Sequence, residues 1–332
     1  MVKFFRKIRH DFLLKNRLAK YLLYAIGEII LVVIGILIAL EVNNQNEQRK
    51  AEAKVEIIFA DIMEELTADI EKTTALMRYY RKRDSIIYLV LNDQIKKQDY
   101  ENTNSNLLWH LTGWYDTVNL SNDAYINLTR NLDAIPHQYK GLLKDLSVLY
   151  NRLKVTVDRN DRSLGEMIEE NSKIQMRNYS WYPGTNESHR QDQLEYMLND
   201  FRYKNEVEGF RNKAINNQLR WAIRYREHAV SCYQQIAQIL NKPMHHESFI
   251  VDMKIAEPLI GKWQSIDQPD DTFTFYLKDK RLYGKNAFDD HWEIFCLAEN
   301  TIVDTDRDYA TLVKEKDEMF LVYNSGSLKK ID

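Results

Sequence analysis

Apolar and polar residues alternate with three different periods along this chain, and each period predicts a different element. Between positions 21 and 40 every residue except Glu28 is apolar or glycine. A helix of that length crosses the ~30 Å hydrocarbon core of a bilayer, so residues 21–42 are expected to form a transmembrane helix. No small-x-small cleavage site follows it, which favours an uncleaved anchor over a signal peptide. From Val55 the apolar positions Phe59, Ile62, Leu66, Ile70, Thr73, Met77, Tyr80, Ile87 and Leu91 recur every three or four residues, with Asp84 interrupting the seam. Residues 36–112 contain neither glycine nor proline, so nothing local breaks a long amphipathic helix. A second helical zone begins near Ser121, pauses at Pro136 and resumes through Tyr139, Leu142, Leu146, Leu149 and Leu153 to Ile168. A third runs from about Gln191 to Asn241, ended by Lys242-Pro243.

After Pro258 the period falls to two. LIGKWQSI, TFTFYLK, HWEIFCL, ATLVKEK and EMFLVYN are short runs rich in β-branched and aromatic residues, with turns at Asp270-Asp271, Asp279-Lys280 and Asn324-Ser325-Gly326. The fold class expected is therefore mainly α, and α+β overall. Residues 1–20 are a basic amphipathic tail, 21–42 the span, 43–243 an antiparallel bundle of long helices, 244–257 a linker and 258–332 a small antiparallel β module. Gly261-Lys262-Trp263 resembles the Gly-x-Trp opening of lipocalin-like domains, a likeness at the level of fold. The module has about half a lipocalin's length, which argues against a full ligand-holding barrel.

Charge sets the direction of the span. Residues 1–20 hold Lys3, Arg6, Lys7, Arg9, Lys15, Arg17 and Lys20 against Asp11 alone, while residues 21–332 carry 39 − 48 = −9 after these are subtracted from the 46 bases and 49 acids of the whole. Bases ahead of the span predict a cytoplasmic N-terminus and an exported body. Lys3, Arg6, Lys7 and Arg9 would face anionic lipid. Val2, Phe5, Ile8 and Phe12 supply an apolar face for a helix in the interface, and a disordered basic tail is the alternative. An acidic body does not suggest a nucleic-acid binder.

Glu28 shares a 3-4-3-4 seam with Ala25, Val32, Gly35 and Ala39, and Gly35-x-x-x-Ala39 is a small-xxx-small pair that lets helices approach closely. Self-association or a membrane partner along this seam is one reading. An acid tolerated near the headgroups and a proton-relay carboxyl are the others.

Lys3-Phe4-Phe5-Arg6-Lys7-Ile8-Arg9, Lys20-Tyr21-Leu22, Tyr24 to Ile29, Val32 to Leu40 and Asn43-Asn44 together resemble the start of a family of unknown function, domain of unknown function 6090, from Bacteroidetes bacteria. The likeness is close over residues 3–50 and diffuse beyond. Gln45 stands where the family often has tryptophan. The resemblance implies an inner-membrane protein with a periplasmic body and assigns no catalytic residue.

Two connections are rich in aromatics: Trp109, Trp114 and Tyr115 in one, Tyr179, Trp181 and Tyr182 in the other, with a turn at Pro183-Gly184. Such residues either anchor a sugar or a protein partner, or cap the helical core. Asp304, Asp306, Asp308 and Glu315 occupy positions 1, 3, 5 and 12 of a calcium loop, but Tyr309 replaces the required glycine and strands flank it, so a solvated turn is the simpler reading. His245-His246-Glu247 lacks a third ligand nearby. Cys232 and Cys296 are too few for a disulfide scaffold, though they allow a single bridge. No nucleophile elbow, zinc-protease, phosphate-loop or dinucleotide motif occurs. The expected function is that of a membrane-anchored, non-enzymatic interaction or scaffold protein, with no cofactor, that binds a protein or envelope component. The alternatives are a transport or energy-coupling subunit using Glu28, and an envelope hydrolase whose residues meet only in three dimensions.

Overall fold

The computed structural model of the chain describes residues 17–102, 106–132, 135–136, 139–184, 186–298 and 300–331. The chain is mostly helical, with a long N-terminal apolar helix and a C-terminal antiparallel barrel. It divides into two compact units, one of residues 1–57 and 131–136, the other of residues 58–130 and 137–332.

In the first unit, helix α1 (Arg17–Leu91) exposes every side chain from Lys20 to Lys50. Past the apolar segment its surface is held by one-turn polar pairs: Gln45 donates to Glu41 at 2.9 Å, Gln48 to Glu52 at 3.0 Å and Lys50 to Glu47 at 3.1 Å.

In the second unit, α1 buries the seam that its spacing predicts: Phe59, Ile62, Leu66, Ile70, Thr73, Met77, Tyr80 and Ile87. Short helices α2 (Lys97–Glu101), α3 (Asn106–Trp109) and α4 (Asp123–Thr129) follow. Helices α5 (Lys140–Val148) and α6 (Val155–Asn178) are joined by a π-helical segment, Leu149–Lys154. Helix α7 spans Glu187–Asn199, and α8 (Phe201–Lys213) joins α9 (Arg220–Ile239) through a second π segment, Ala214–Leu219. The third zone is thus not one helix. At Asp200 the backbone is extended (ψ 122°) and the carboxylate accepts the Arg202 N–H at 2.9 Å, so Asp200 ends α7 and caps α8. Helices α6 and α8 pack on each other, as do α5 and α9. The 110–121 crossing has almost no regular structure, and polar side chains of α1, α6 and the second π segment satisfy its backbone. Arg83 Nη1 donates to the Leu111 carbonyl at 2.7 Å, and Gln218 Nε2 to the Asp116 carbonyl at 2.7 Å. Asp161 accepts from Val118 N at 3.1 Å, and Asp69 from Ser121 N at 3.1 Å.

After α10 (Met253–Ala256), eight strands form the barrel: β1 (Gly261–Ser265), β2 (Thr272–Lys278), β3 (Arg281–Asn286), β4 (His291–Ala298), β5 (Thr301–Asp304), β6 (Tyr309–Glu315), β7 (Glu318–Tyr323) and β8 (Gly326–Lys330). Each pairs antiparallel with the next, and β8 returns to β1 with Trp263 opposite Lys330. The short module therefore closes completely. Its interior is filled by one residue from each of the first seven strands: Trp263, Phe275, Leu282, Ile294, Ile302, Ala310 and Leu321. Leu259 plugs one end, and its carbonyl accepts the buried Trp263 indole N–H at 2.8 Å. Asp279 and Lys280 both have positive φ (50° and 59°), the geometry of a tight hairpin turn. Strand β4 is buried on both faces. Ile294 points inward, while Glu293, Phe295 and Leu297 point outward and are also covered.

Candidate functional site

The seam residues Ala25, Glu28, Val32, Gly35 and Ala39 lie on one face of α1, and all five are exposed. A Cβ built on Gly35 meets nothing within 4 Å, so the notch opposite the small pair is open. Among the described residues one helix is long and apolar enough to cross a membrane, with a segment of mean hydropathy 2.7 and none of it buried. Lys3, Arg6, Lys7 and Arg9 lie outside the described residues.

The two aromatic segments divide between capping and exposure. Trp181 is only 5% exposed, packed between Tyr179 and Tyr196 at centroid distances of 5.0 and 5.3 Å. Trp109 is half-buried: its indole N–H donates to the Tyr100 carbonyl at 2.9 Å, and the Arg190 guanidinium lies 4.9 Å above its ring. Trp114 is 51% exposed and stacks on His110 at 4.2 Å, and Tyr182 is 40% exposed. Trp109 and Tyr182 line one cleft of about 370 Å³ with Asn106, His110, Arg190 and Gln193. The two segments therefore meet, but the broad faces of Trp109 and Trp181 are already covered.

The acidic loop does not assemble a calcium site. Asp304, Asp306 and Asp308 sit at the β5–β6 turn, whereas Glu315 ends β6 and pairs with Glu318 at the other end of the barrel. Asp304 instead spends its carboxylate on the turn, accepting the Asp308 N–H at 3.0 Å. Burial and the neighbouring Asp308 push its carboxyl up to about 7. Asp84 on α1 accepts from Asn324 at 2.8 Å across a small cavity of about 120 Å³ that Asp308, Arg211 and Tyr323 also line, and burial raises its carboxyl to about 6. No group of three metal-ligating side chains forms among the described residues. Cys232 and Cys296 are free thiols, so no bridge joins α9 to β4.

One enclosed charged cluster draws on residues that no sequence motif groups. Arg226 of α9, Arg281 of β3 and Glu293 of β4 meet where the barrel wall rests on α1 and α9. Glu293 bridges the two guanidinium groups, at 3.4 Å from Arg226 Nη1 and 3.1 Å from Arg281 Nη1. Arg226 also lies 4.6 Å over the Phe295 ring and donates to Thr74 Oγ1 at 3.2 Å. Arg78 extends from α1 to the Leu297 carbonyl at 3.4 Å. These groups line a cavity of about 240 Å³, bordered on the remaining side by residues 247–252. Glu227 is close by, and burial together with Glu293 pushes its carboxyl up to about 7. The sequence holds one signal of this cluster: an acid in the middle of the doubly buried run HWEIFCL.

Residues 28–129 match the model of a family of unknown function (DUF6090), from the middle of the apolar segment through α4. The match takes in residues 28–50 of the close resemblance and continues into the helical body, while residues 3–27 lie outside it. No curated protein and no solved structure matches the chain.

Proposed function

We propose that this chain is a single-pass, membrane-anchored scaffold or binding protein of the bacterial inner membrane, with its N-terminus cytoplasmic and its helical bundle and barrel periplasmic. The observation that carries the reading is the apolar segment of α1, every side chain of which is uncovered over a length that suits a bilayer. In water such a surface is a liability far larger than a monomer tolerates. The basic residues ahead of it set the orientation. The open Gly35 notch and Glu28 on the same face support association through the span, with a second copy or another membrane protein. A filled barrel interior and polar side chains committed to backbone support binding at surfaces over chemistry at a centre.

Alkaline extraction of membranes tests the anchor: the chain stays in the pellet, and its release to the supernatant overturns the reading. Asn46→Cys, in a chain with Cys232 and Cys296 replaced by serine, tests orientation. A membrane-impermeant maleimide labels it in cells with permeabilised outer membranes. Labelling only after lysis reverses the topology. A two-hybrid assay on the span tests association, since Gly35→Leu and Glu28→Leu are expected to reduce the signal at least several-fold.

A further inference from the structure

The junction cavity between barrel and helices has more hydrogen-bond donors than its own walls use. Arg226 is 5% exposed, yet its three polar contacts are long: 3.4 Å to Glu293, 3.2 Å to Thr74 and 3.5 Å to the Ser248 carbonyl. Guanidinium–carboxylate bonds ordinarily settle near 2.7–2.9 Å. Arg281 bonds Glu293 at 3.1 Å and also meets Tyr283, whose ring centre lies 5.3 Å away, while its buried Nε has no hydrogen-bond partner among the described residues. Two guanidinium groups, each with five N–H donors, thus share one carboxylate, one hydroxyl and one carbonyl.

Charge points the same way. A guanidinium does not release its proton near neutral pH, so Arg226 and Arg281 are met by Glu293 and, behind them, by Glu227, whose carboxyl burial and Glu293 raise and so weaken as a counter-charge. A weakly compensated buried charge is unfavourable unless an anion or well-ordered water meets it. The cavity of about 240 Å³ has room for more than a water, whose share of liquid volume is about 30 Å³. Its other wall is apolar, built from Phe295, Leu297, Val251 and Ile255. Glu247 and Asp252 stand exposed at the rim. These acids and Glu293 disfavour a dianion such as a phosphate. A single carboxylate with a short hydrocarbon part suits both walls.

We infer that this cavity binds a small organic monocarboxylate, its oxygens held by the Arg226–Arg281 pair and its carbon chain against Phe295 and Ile255. Glu293 then acts as an internal competitor that occupies the arginines until the ligand arrives. The site lies within the second unit and does not depend on how the chain is anchored.

The test uses the full chain in detergent micelles, with acetate, butyrate, succinate and inorganic phosphate as probes at matched ionic strength. Butyrate is expected to raise the melting temperature saturably and to give a calorimetric isotherm, with acetate weaker and phosphate inactive. Arg281→Gln, checked by circular dichroism for an intact fold, is expected to weaken butyrate at least tenfold. Glu293→Gln is expected to tighten it, an outcome that a purely structural ion cluster would not produce. No response to any carboxylate at 10 mM, equal binding by Arg281→Gln, or phosphate binding as well as butyrate would each overturn the assignment.

Discussion

Two buried polar clusters use charged side chains to opposite effect. Around Asp69 on α1, each contact ends on a defined partner and the main ones are short. Its carboxylate accepts from Tyr225 Oη at 2.8 Å, Lys72 Nζ at 2.9 Å and the Ser121 N–H at 3.1 Å, while Lys72 also donates to the Asn119 carbonyl at 2.8 Å. Gln218 receives Tyr80 Oη and donates to Asp161 and the Asp116 carbonyl, both at 2.7 Å. This cluster stands in for the ladder that the 110–121 crossing lacks. Around Arg226 the contacts stretch to 3.2–3.5 Å and open onto a cavity. A network without a cavity acts as mortar even with one donor, Arg83 Nε, left over, whereas one whose long bonds open onto a cavity has capacity for something else.

The largest effect should come from the closed network. Asp69→Asn turns one acceptor oxygen into an N–H facing the donors of Lys72, Tyr225 and Ser121. A cost of about 2–4 kcal/mol is expected for leaving buried partners unpaired, read as a lower urea midpoint with an unchanged slope. A cost under about 1 kcal/mol, in the range of a surface substitution, would mean the crossing is held by its apolar contacts instead.

Three raised carboxyls, two near the β5–β6 turn and one beside the junction, add a pH dependence. The carboxyls of Asp84, Asp304 and Glu227 are raised by burial to about 6, 7 and 7. A raised acid favours the folded state while protonated. Its contribution is therefore full below about pH 4, the unfolded value, and is lost as pH rises through 6–7. Melting temperature is expected to fall as pH rises from about 4 to about 7. Asp304→Asn should flatten that fall by about 1–2 kcal/mol, since a tenfold change in proton affinity is worth about 1.4 kcal/mol and partial exposure discounts it. An unchanged slope would assign the pH dependence elsewhere.

What can be read from the chain follows the reach of each signal. The α1 seam and the strands around Trp263, Phe275, Ile294, Leu312 and Leu321 are local periodicities, and they are legible. Strands β3, β5 and β8 are not. RLYGKN and GSLKK are polar and glycine-bearing, and TIVD has only four residues. Gly284 is in a strand because Trp292 lies across it: a Cβ there would stand 2.7 Å from the indole. That requirement comes from a neighbouring strand. Barrel closure pairs residues 263 and 330, and no window of sequence contains both. The break at Asp200 is legible in principle, since an aspartate N-cap is present inside a seam that otherwise continues. The Arg226–Arg281–Glu293 cluster draws on three elements, so only Glu293's place in an apolar run points to it.

The smallest expected effect is also the most discriminating between the two clusters. Glu293→Gln is as conservative as Asp69→Asn, and Glu293 is nearly as deeply buried, so burial alone predicts equal damage. The geometry predicts otherwise. Glu293 holds Arg226 at 3.4 Å and Arg281 at 3.1 Å, both longer than a charge-assisted bond usually settles, and the cavity gives both guanidinium groups access to water or an anion once the carboxylate is gone. The expected loss is about 1 kcal/mol or less, recovered in part by added butyrate. A loss matching that of Asp69→Asn, insensitive to butyrate, would make the junction mortar as well and would remove the distinction between the two regions.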